Sequence, residues 1–183
     1  NEKLAKTANE EFFDLALKLK MKFVFGWNLP IDPEFYRIMG ERLIKKGFKP
    51  GDFVFKALIA DEFGRAAIPR HQAVRDQVAK FKKDWHFQAV YYSAPPPAGA
   101  TLADLEKAKL PEFYKMWTVI EALLRDPVRG KKVISFLQSK GCEVWSYQCA
   151  RYMPTLAIME YYRLYPWKCY MRNLTGLAIW IPG

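Results

Sequence analysis

The chain has 183 residues, about half of them hydrophobic and 16% aromatic, and it carries a formal net charge of +10. This length supports one domain with its own core, and the composition excludes a disordered chain. No uninterrupted apolar run approaches the roughly 18 residues of a membrane-spanning helix, so no membrane span is expected.

Helix-like and strand-like segments alternate along the chain. The spacing of apolar residues predicts, in chain order, a helix over 2–20, a strand over 21–28, a helix over 32–46, a strand over 53–60, a helix over 69–81, a strand over 86–92, a helix over 101–109, a strand over 113–120, a helix over 126–140, a strand over 143–149, a helix over 159–173 and a strand over 177–181. Asp–Pro pairs open the helices at 32 and 126, Gly47 and Gly141 end them, and Pro166 predicts a kink or break in the last helix.

About six apolar strands with crossover helices between them predict a parallel sheet covered on both faces. An open doubly wound sheet and a (β/α)8 barrel both fit this alternation. We interpret residues 1–183 as a single α/β domain, most of a TIM-type (β/α)8 barrel, and as a fragment of a larger chain. No glycine-rich phosphate-binding loop follows any predicted strand, which disfavours nucleotide binding.

The positive charge has a structural interpretation. Lysines cluster at 18–22, 45–49, 80–83 and at Lys140, where helical segments end, and the helix dipole favours cations at such ends. In a βα repeat these ends share the rim opposite the active face, so we expect no nucleic-acid partner. A polyanion-binding module is an alternative that rests on the charge alone.

The histidines and cysteines give no sign of a metal or a cofactor. His71 and His86 lack the spacing of metal ligands, so we expect no bound metal, and no cofactor is expected either. Cys142 and Cys149 flank one extended run and lie too far apart to bridge each other. With Cys169 the number of cysteines is odd, so the compartment is left open.

Two adjacent carboxylates, Asp61 and Glu62, follow the buried strand 53–60. Buried charge is costly unless it is paired or used, and catalytic groups of barrel enzymes lie where strands end. Neighbouring strand residues point to opposite faces, so both acids reach one pocket only if the backbone turns there. The candidate catalytic residues are therefore Asp61 and Glu62; the alternative is a strand end with a capping Asp and a solvated Glu.

Aromatic residues recur towards the ends of the predicted strands. Their faces can stack on the C–H faces of sugar rings, and their N–H and O–H groups donate directional hydrogen bonds. A ring of aromatics around a carboxylate pair suits a carbohydrate pocket, and we favour a pocket for the set as a whole. For any single aromatic side chain, a position in the core is the alternative. The candidate substrate-binding residues are Trp27, Tyr92, Trp117, Trp145, Tyr147 and Trp180.

Two stretches carry a family resemblance. KGCEVWSYQC (140–149), followed by YYRLYPWKCYMRNLTGLAIW (161–180), resembles the closing part of glycoside hydrolase family 123 and related glycosidase-like barrels. The earlier FKALIADEF (55–63) is similar to that family's strand ending in Asp-Glu-Pro, with Phe63 in place of the proline. The resemblance implies part of a barrel, with its remaining strands in the same longer chain.

The resemblance also implies a function. It would make the chain a retaining hexosaminidase acting on N-acetylhexosamine glycans, with the substrate's acetamido group as nucleophile. Glu62 would be the general acid/base and Asp61 would orient the acetamide. Arg163 would hydrogen-bond near the pocket, with a surface role as the alternative. An extracellular or periplasmic location is implied as well, and a non-catalytic carbohydrate-binding or structural barrel is the alternative function.

Overall fold

The computed structural model describes residues 10–25, 33–56, 64–79, 86–91, 99–149 and 159–180. The strands are β1 (Phe23–Phe25), β2 (Phe53–Lys56), β3 (His86–Tyr91), β4 (Tyr114–Ile120), β5 (Glu143–Cys149) and β6 (Gly176–Trp180). The helices are α1 (Glu10–Lys18), α2 (Pro33–Lys46), α3 (Ile68–Val78), α4 (Leu102–Lys107), α5 (Leu110–Phe113), α6 (Glu121–Arg125), α7 (Arg129–Ser139) and α8 (Tyr165–Met171). A 3₁₀ turn (Arg65–Ala67) precedes α3, and a π-helix (Met159–Leu164) precedes α8.

The described strands form one parallel sheet in sequence order, β1 to β6. The sheet is curled. Lys22, directly before β1, donates to the Glu143 carboxylate at the start of β5. In a flat sheet, four strand spacings of about 4.8 Å would hold these strands about 19 Å apart. The predicted α/β class and the partial TIM-type barrel are therefore confirmed, and the open doubly wound alternative is excluded.

The convex face of the sheet carries an aromatic core against the helices. Tyr36 of α2 packs on Phe55 of β2 and Phe87 of β3, with ring centroids 5.2 and 5.5 Å apart. All three rings are fully buried. Burial of large apolar side chains contributes about 1.5–3 kcal/mol each, so this layer fixes the helices on the outside of the curved sheet.

Local capping signals set several helix ends where the sequence predicts them. Gly47 and Gly141 have φ of 113° and 73°, a left-handed conformation that favours glycine after a helix. The Asp126 carboxylate accepts from the Val128 and Arg129 amides and so opens α7. The break at Pro166 is also present, because the π-helix gives way to α8 at Tyr165. Helix α6, which follows β4 without a loop, was not predicted.

The basic helix ends are part of surface ion pairs. Lys46 at the end of α2 binds Glu10 and Asp14 of α1 at 2.6 Å. Lys140 after α7 binds Glu106 at 2.5 Å. Lys46 and Lys140 therefore lie at helix ends as predicted, whereas Lys82 and Lys83 lie outside the described residues. Within the described ranges, no helix is both long and apolar enough to span a bilayer.

Two of the three cysteines are described with their side chains, and both are buried free thiols. The Cys142 thiol donates to the Pro111 carbonyl at 3.2 Å. Burial raises the pKa of Cys142 and of Cys169 to about 11, which makes both thiols poor nucleophiles. Among the described residues, no group of three or more His, Cys, Asp or Glu side chains could hold a metal ion.

Candidate functional site

The concave face of the sheet is identified by Glu143, whose side chain reaches across the interior to Lys22. Strand residues two positions apart share a face, so Trp145 and Tyr147 of β5 also point inward. Thr118 of β4 is the register partner of Trp145 and therefore points the same way. The concave face above the Lys22–Glu143 pair is thus lined by hydroxyl and indole groups.

Lys56 belongs to this concave face. The register pairs Lys56 with Gln88 of β3, Gln88 with Met116 of β4, and Met116 with the inward-pointing Glu143. Its side chain is only 2% exposed. Lysine is almost never fully buried in proteins unless its ammonium is paired or used. The buried Lys56 amine is therefore the strongest chemical feature of this face.

Trp145 contributes a buried donor. Its indole ring lies against Gly176 of β6, where an added Cβ would come within 2.7 Å of Nε1 and closer still to two ring carbons. Nε1 is buried and has no acceptor among the described residues. An unsatisfied buried donor costs about 1–3 kcal/mol, which makes this N–H a candidate contact for a ligand.

The remaining polar groups of the concave face differ in their exposure to solvent. Thr118 is buried, whereas Tyr147 is half-buried and lies two residues closer to the carboxyl end of β5 than Trp145. Lys56 and Thr118 were not predicted. The sequence did contain a signal for Lys56, since it is a single cation inside the apolar run FVFKALIA. The prediction instead relied on the acids that follow this run.

The predicted site residues are distributed unevenly. Trp145 and Tyr147 lie together on the concave face. Arg163 is exposed on the π-helix. Trp180 ends β6, and its backbone is in register with Cys149. Four predicted residues lie outside the described residues: Trp27, Asp61, Glu62 and Tyr92.

Trp117 lies on the opposite side of the sheet from Trp145. It is fully buried, and its indole N–H donates to the Tyr114 carbonyl at 3.0 Å. The register with β3 shifts between Phe87 and Gln88, and this shift puts Tyr114 and Trp117 together on the convex face, with ring centroids 5.7 Å apart. In this position Trp117 packs in the core and does not line the concave face.

Glu121, at the exit of β4, is a buried carboxylate with a structural environment. It accepts from Arg125 Nε at 3.0 and 2.8 Å and from Lys168 Nζ at 3.2 Å. The Lys168 contact joins α6 to α8, and two partly exposed cations pair with the one buried anion. The carboxylate is therefore occupied in holding helices together, which removes it from the candidate site.

The two histidines are also accounted for by packing. His71 of α3 is buried, with Nδ1 2.6 Å from the Tyr114 hydroxyl, and burial lowers its pKa to about 3. His86 lies near Lys22 and Glu143 at the amino-terminal end of the sheet. Burial, followed by the charge of Lys22, lowers the pKa of His86. Neither imidazole belongs to the carboxyl-terminal half of the concave face.

The sequence and the fold were compared with those of known proteins. The sequence matches no protein-family model, and no curated protein matches it. A solved structure with a similar arrangement is the tetrameric deoxyribose phosphate aldolase from Aeropyrum pernix, with a TM-score of 0.48 and 12% identity over 90% of this chain and 63% of the aldolase chain. This chain therefore spans less than two thirds of the aldolase's length. At this identity the likeness says nothing of what the chain binds.

The predicted membership of glycoside hydrolase family 123 is wrong. No family model supports it, and the solved structure of similar arrangement is an aldolase and not a glycoside hydrolase. The predicted hexosaminidase activity is corrected with it, and a glycan partner has no support. The motif behind the resemblance has a packing explanation, because an inward Trp145 requires a residue without a side chain, Gly176, on the neighbouring strand.

Proposed function

We propose that the concave face is the substrate site of a barrel enzyme, and that its substrate is a small molecule with an anionic oxygen group. The observation that carries this proposal is Lys56, a lysine with 2% exposure that points inward from β2. Active sites of (β/α)8 barrels lie on the inner side of the sheet, towards the carboxyl ends of the strands, and Asp61 and Glu62 follow Lys56 in that direction along the chain. A cation there favours negative charge on a substrate oxygen, in the ground state or as it develops during reaction.

The neighbouring groups support the same class of ligand. Trp145 offers a buried N–H that has no acceptor among the described residues. Thr118 and Tyr147 add hydroxyl groups on the same face. A site with an ammonium, an indole N–H and two hydroxyls is rich in donors, so it is complementary to a ligand rich in acceptors, such as a carboxylate or a phosphate.

Asp61 and Glu62 remain candidates for proton transfer in this proposal. They follow Lys56 by five and six residues in the sequence, beyond the described part of β2. A carboxyl group near a buried ammonium would remain ionised over a wide pH range and could act as a general base. Their predicted aromatic neighbours Trp27, Tyr92 and Trp180, and Arg163, remain candidates for contacts with the ligand.

The indole N–H of Trp145 allows a direct test by NMR. The six tryptophans give six indole ¹H–¹⁵N signals, and Trp145→Phe identifies the one that belongs to Trp145. Titration uses inorganic phosphate and acetate as anionic probes and glycerol as a neutral probe. We expect a saturable shift of the Trp145 signal with at least one anion and no shift with glycerol.

A lysine substitution isolates the charge. Lys56→Met keeps the aliphatic stem but removes the ammonium, and it should abolish the shift of the Trp145 signal. Lys140→Met, an exposed lysine after α7, is the matched control and should titrate like the wild type. A Trp145 signal that moves with neither anion, or that responds equally in Lys56→Met, contradicts the proposal.

A further inference from the structure

The first described helix presents an apolar flank to solvent. On one flank of α1, Glu10 and Asp14 bind Lys46 of the neighbouring helix α2. On the other flank, Leu15 and the following Leu19 are one helical turn apart and are 51% and 57% exposed. Residues four apart lie one above the other on a helix, so this pair forms a stripe that faces away from α2.

The last described helix, α8, also has one flank packed against a neighbouring helix and one apolar flank exposed to solvent. One flank of α8 faces back towards α6, where Lys168 binds Glu121 and Arg172 donates to the Leu124 carbonyl. On the other flank, Trp167 and Tyr170 are 63% and 70% exposed. Their rings contact only edge to face, with centroids 5.8 Å apart. Aromatic side chains bury about 150–250 Å² each, so these two leave roughly 250 Å² of largely apolar surface open.

The strands beneath these helices are the two edges of the described sheet. Among the described strands, β1 pairs with β2 alone and β6 pairs with β5 alone. The contact between Lys22 and Glu143 joins strands four positions apart across the interior, which is the diameter of a ring of eight. A ring of that curvature leaves room for two more strands between β6 and β1.

We infer that the edges β1 and β6, with the apolar flanks of α1 and α8, form one docking surface for two further βα units supplied by polypeptide outside residues 1–183. The chemistry of the surface specifies this occupant. Edge strands in a parallel sheet offer backbone donors and acceptors to another parallel strand. The flanks Leu15–Leu19 and Trp167–Tyr170 each offer an apolar stripe to one neighbouring helix.

A second copy of this chain fits the surface poorly. The copy would bring six strands to a gap that has room for two, and it would carry the same two open edges. The continuity of the sheet therefore favours a short βα pair. The exposed stripes have the scale of a few hundred Å² that marks an interaction surface, and the two strand edges add to it.

The test compares two polypeptides, the 183-residue chain and the natural translation product isolated from its source. We expect the natural product to be longer than 183 residues and the 183-residue chain to sediment as a monomer. In hydrogen exchange, the amides of β1 and β6 should exchange slowly in the longer product and quickly in the 183-residue chain, whereas those of β4 should be protected in both.

Two paired substitutions probe the flanks. Leu15→Glu with Leu19→Glu, and Trp167→Glu with Tyr170→Glu, should each lower the Tm of the longer product by several degrees and leave that of the 183-residue chain nearly unchanged. Val128→Glu, at a 78% exposed position away from both flanks, is the control and should be neutral in both. The inference is overturned by a natural product of 183 residues, by a dimer of the 183-residue chain that either pair dissociates, or by paired variants of the longer product that melt like Val128→Glu.

Discussion

Replacing His71 with Gln should remove a large part of the acid sensitivity of the fold. His71 is buried between α3 and β4, with Nδ1 2.6 Å from the Tyr114 hydroxyl. Burial lowers its pKa from 6.5 to about 3, because a charged imidazolium loses its hydration in the core. The native protein therefore keeps His71 neutral over a pH range in which the unfolded chain binds a proton there.

The sign and size of the effect follow from this difference in pKa. Since the unfolded state binds the proton first as the pH falls, the free energy of unfolding decreases below pH 6.5 and levels off below about pH 3. With these two pKa values, protonation of the unfolded state costs about 0.2 kcal/mol at pH 7 and about 2 kcal/mol at pH 5. His71 alone should thus lower the free energy of unfolding by about 2 kcal/mol between pH 7 and pH 5.

The assay is urea denaturation at pH 7 and at pH 5 for the wild type, His71→Gln and His86→Gln. Each protein is compared with itself, so a constant cost of the substitution cancels. His71→Gln should lose about 2 kcal/mol less than the wild type on acidification. His86 is only partly buried, so His86→Gln should retain the His71 effect. Equal pH dependence in the wild type and His71→Gln would refute the assignment of this acid sensitivity to His71.

Three further substitutions test the packing around the sheet. Gly176→Ala should displace the Trp145 indole and lower the free energy of unfolding by about 1–3 kcal/mol, and an unchanged near-UV circular dichroism spectrum would contradict this. Thr101→Ala breaks the capping box of α4 and should cost about 1 kcal/mol in thermal denaturation, whereas Ser139→Ala at the exposed end of α7 should cost almost nothing; equal effects would contradict the cap. Glu121→Ala removes the carboxylate that joins α6 to α8 and should cost about 1–2 kcal/mol in urea denaturation, because both cations left behind are partly solvated, and no measurable cost would show that the pairs are dispensable.

The order and direction of the strands could be predicted because they depend on local signals. The strand over 143–149 has the predicted bounds, and Gly141 and the Asp126–Pro127 pair mark the ends of the preceding helix within three residues. Apolar runs separated by capped helices leave few arrangements other than parallel strands in sequence order. The fold class therefore followed from the spacing of the apolar residues and from turn chemistry.

The face of the sheet on which each side chain lies could not be predicted in the same way. Trp117 and Trp145 look alike in the sequence, yet they lie on opposite faces of the sheet. A shift of one residue in register reverses the face of every later side chain in a strand, and β4 contains such a shift opposite Phe87 and Gln88. The shift depends on contacts between strands, which a single sequence does not display.

The resemblance to a glycosidase failed for a related reason. A pattern of alternating aromatics followed by a glycine on the next strand records how an inward Trp145 packs on Gly176, and this packing is compatible with many activities. Motifs that arise from packing identify a fold better than they identify a reaction. Information about the reaction comes instead from buried polar or charged groups, because apolar packing alone does not favour their burial.

The positions of the lysines distinguish residues that serve the fold from residues that are candidates for function. The paired cations Lys46 and Lys140 lie at helix ends on the surface, where ion pairs contribute at most about 1 kcal/mol and where their positions follow from the helix dipole. Lys56 differs from them, since its ammonium is withdrawn from water on the inner face of β2 and its position does not follow from a helix end. Burial of an ammonium costs hydration that burial of an apolar side chain does not, and this cost is the physical reason for proposing that Lys56 binds an anionic oxygen.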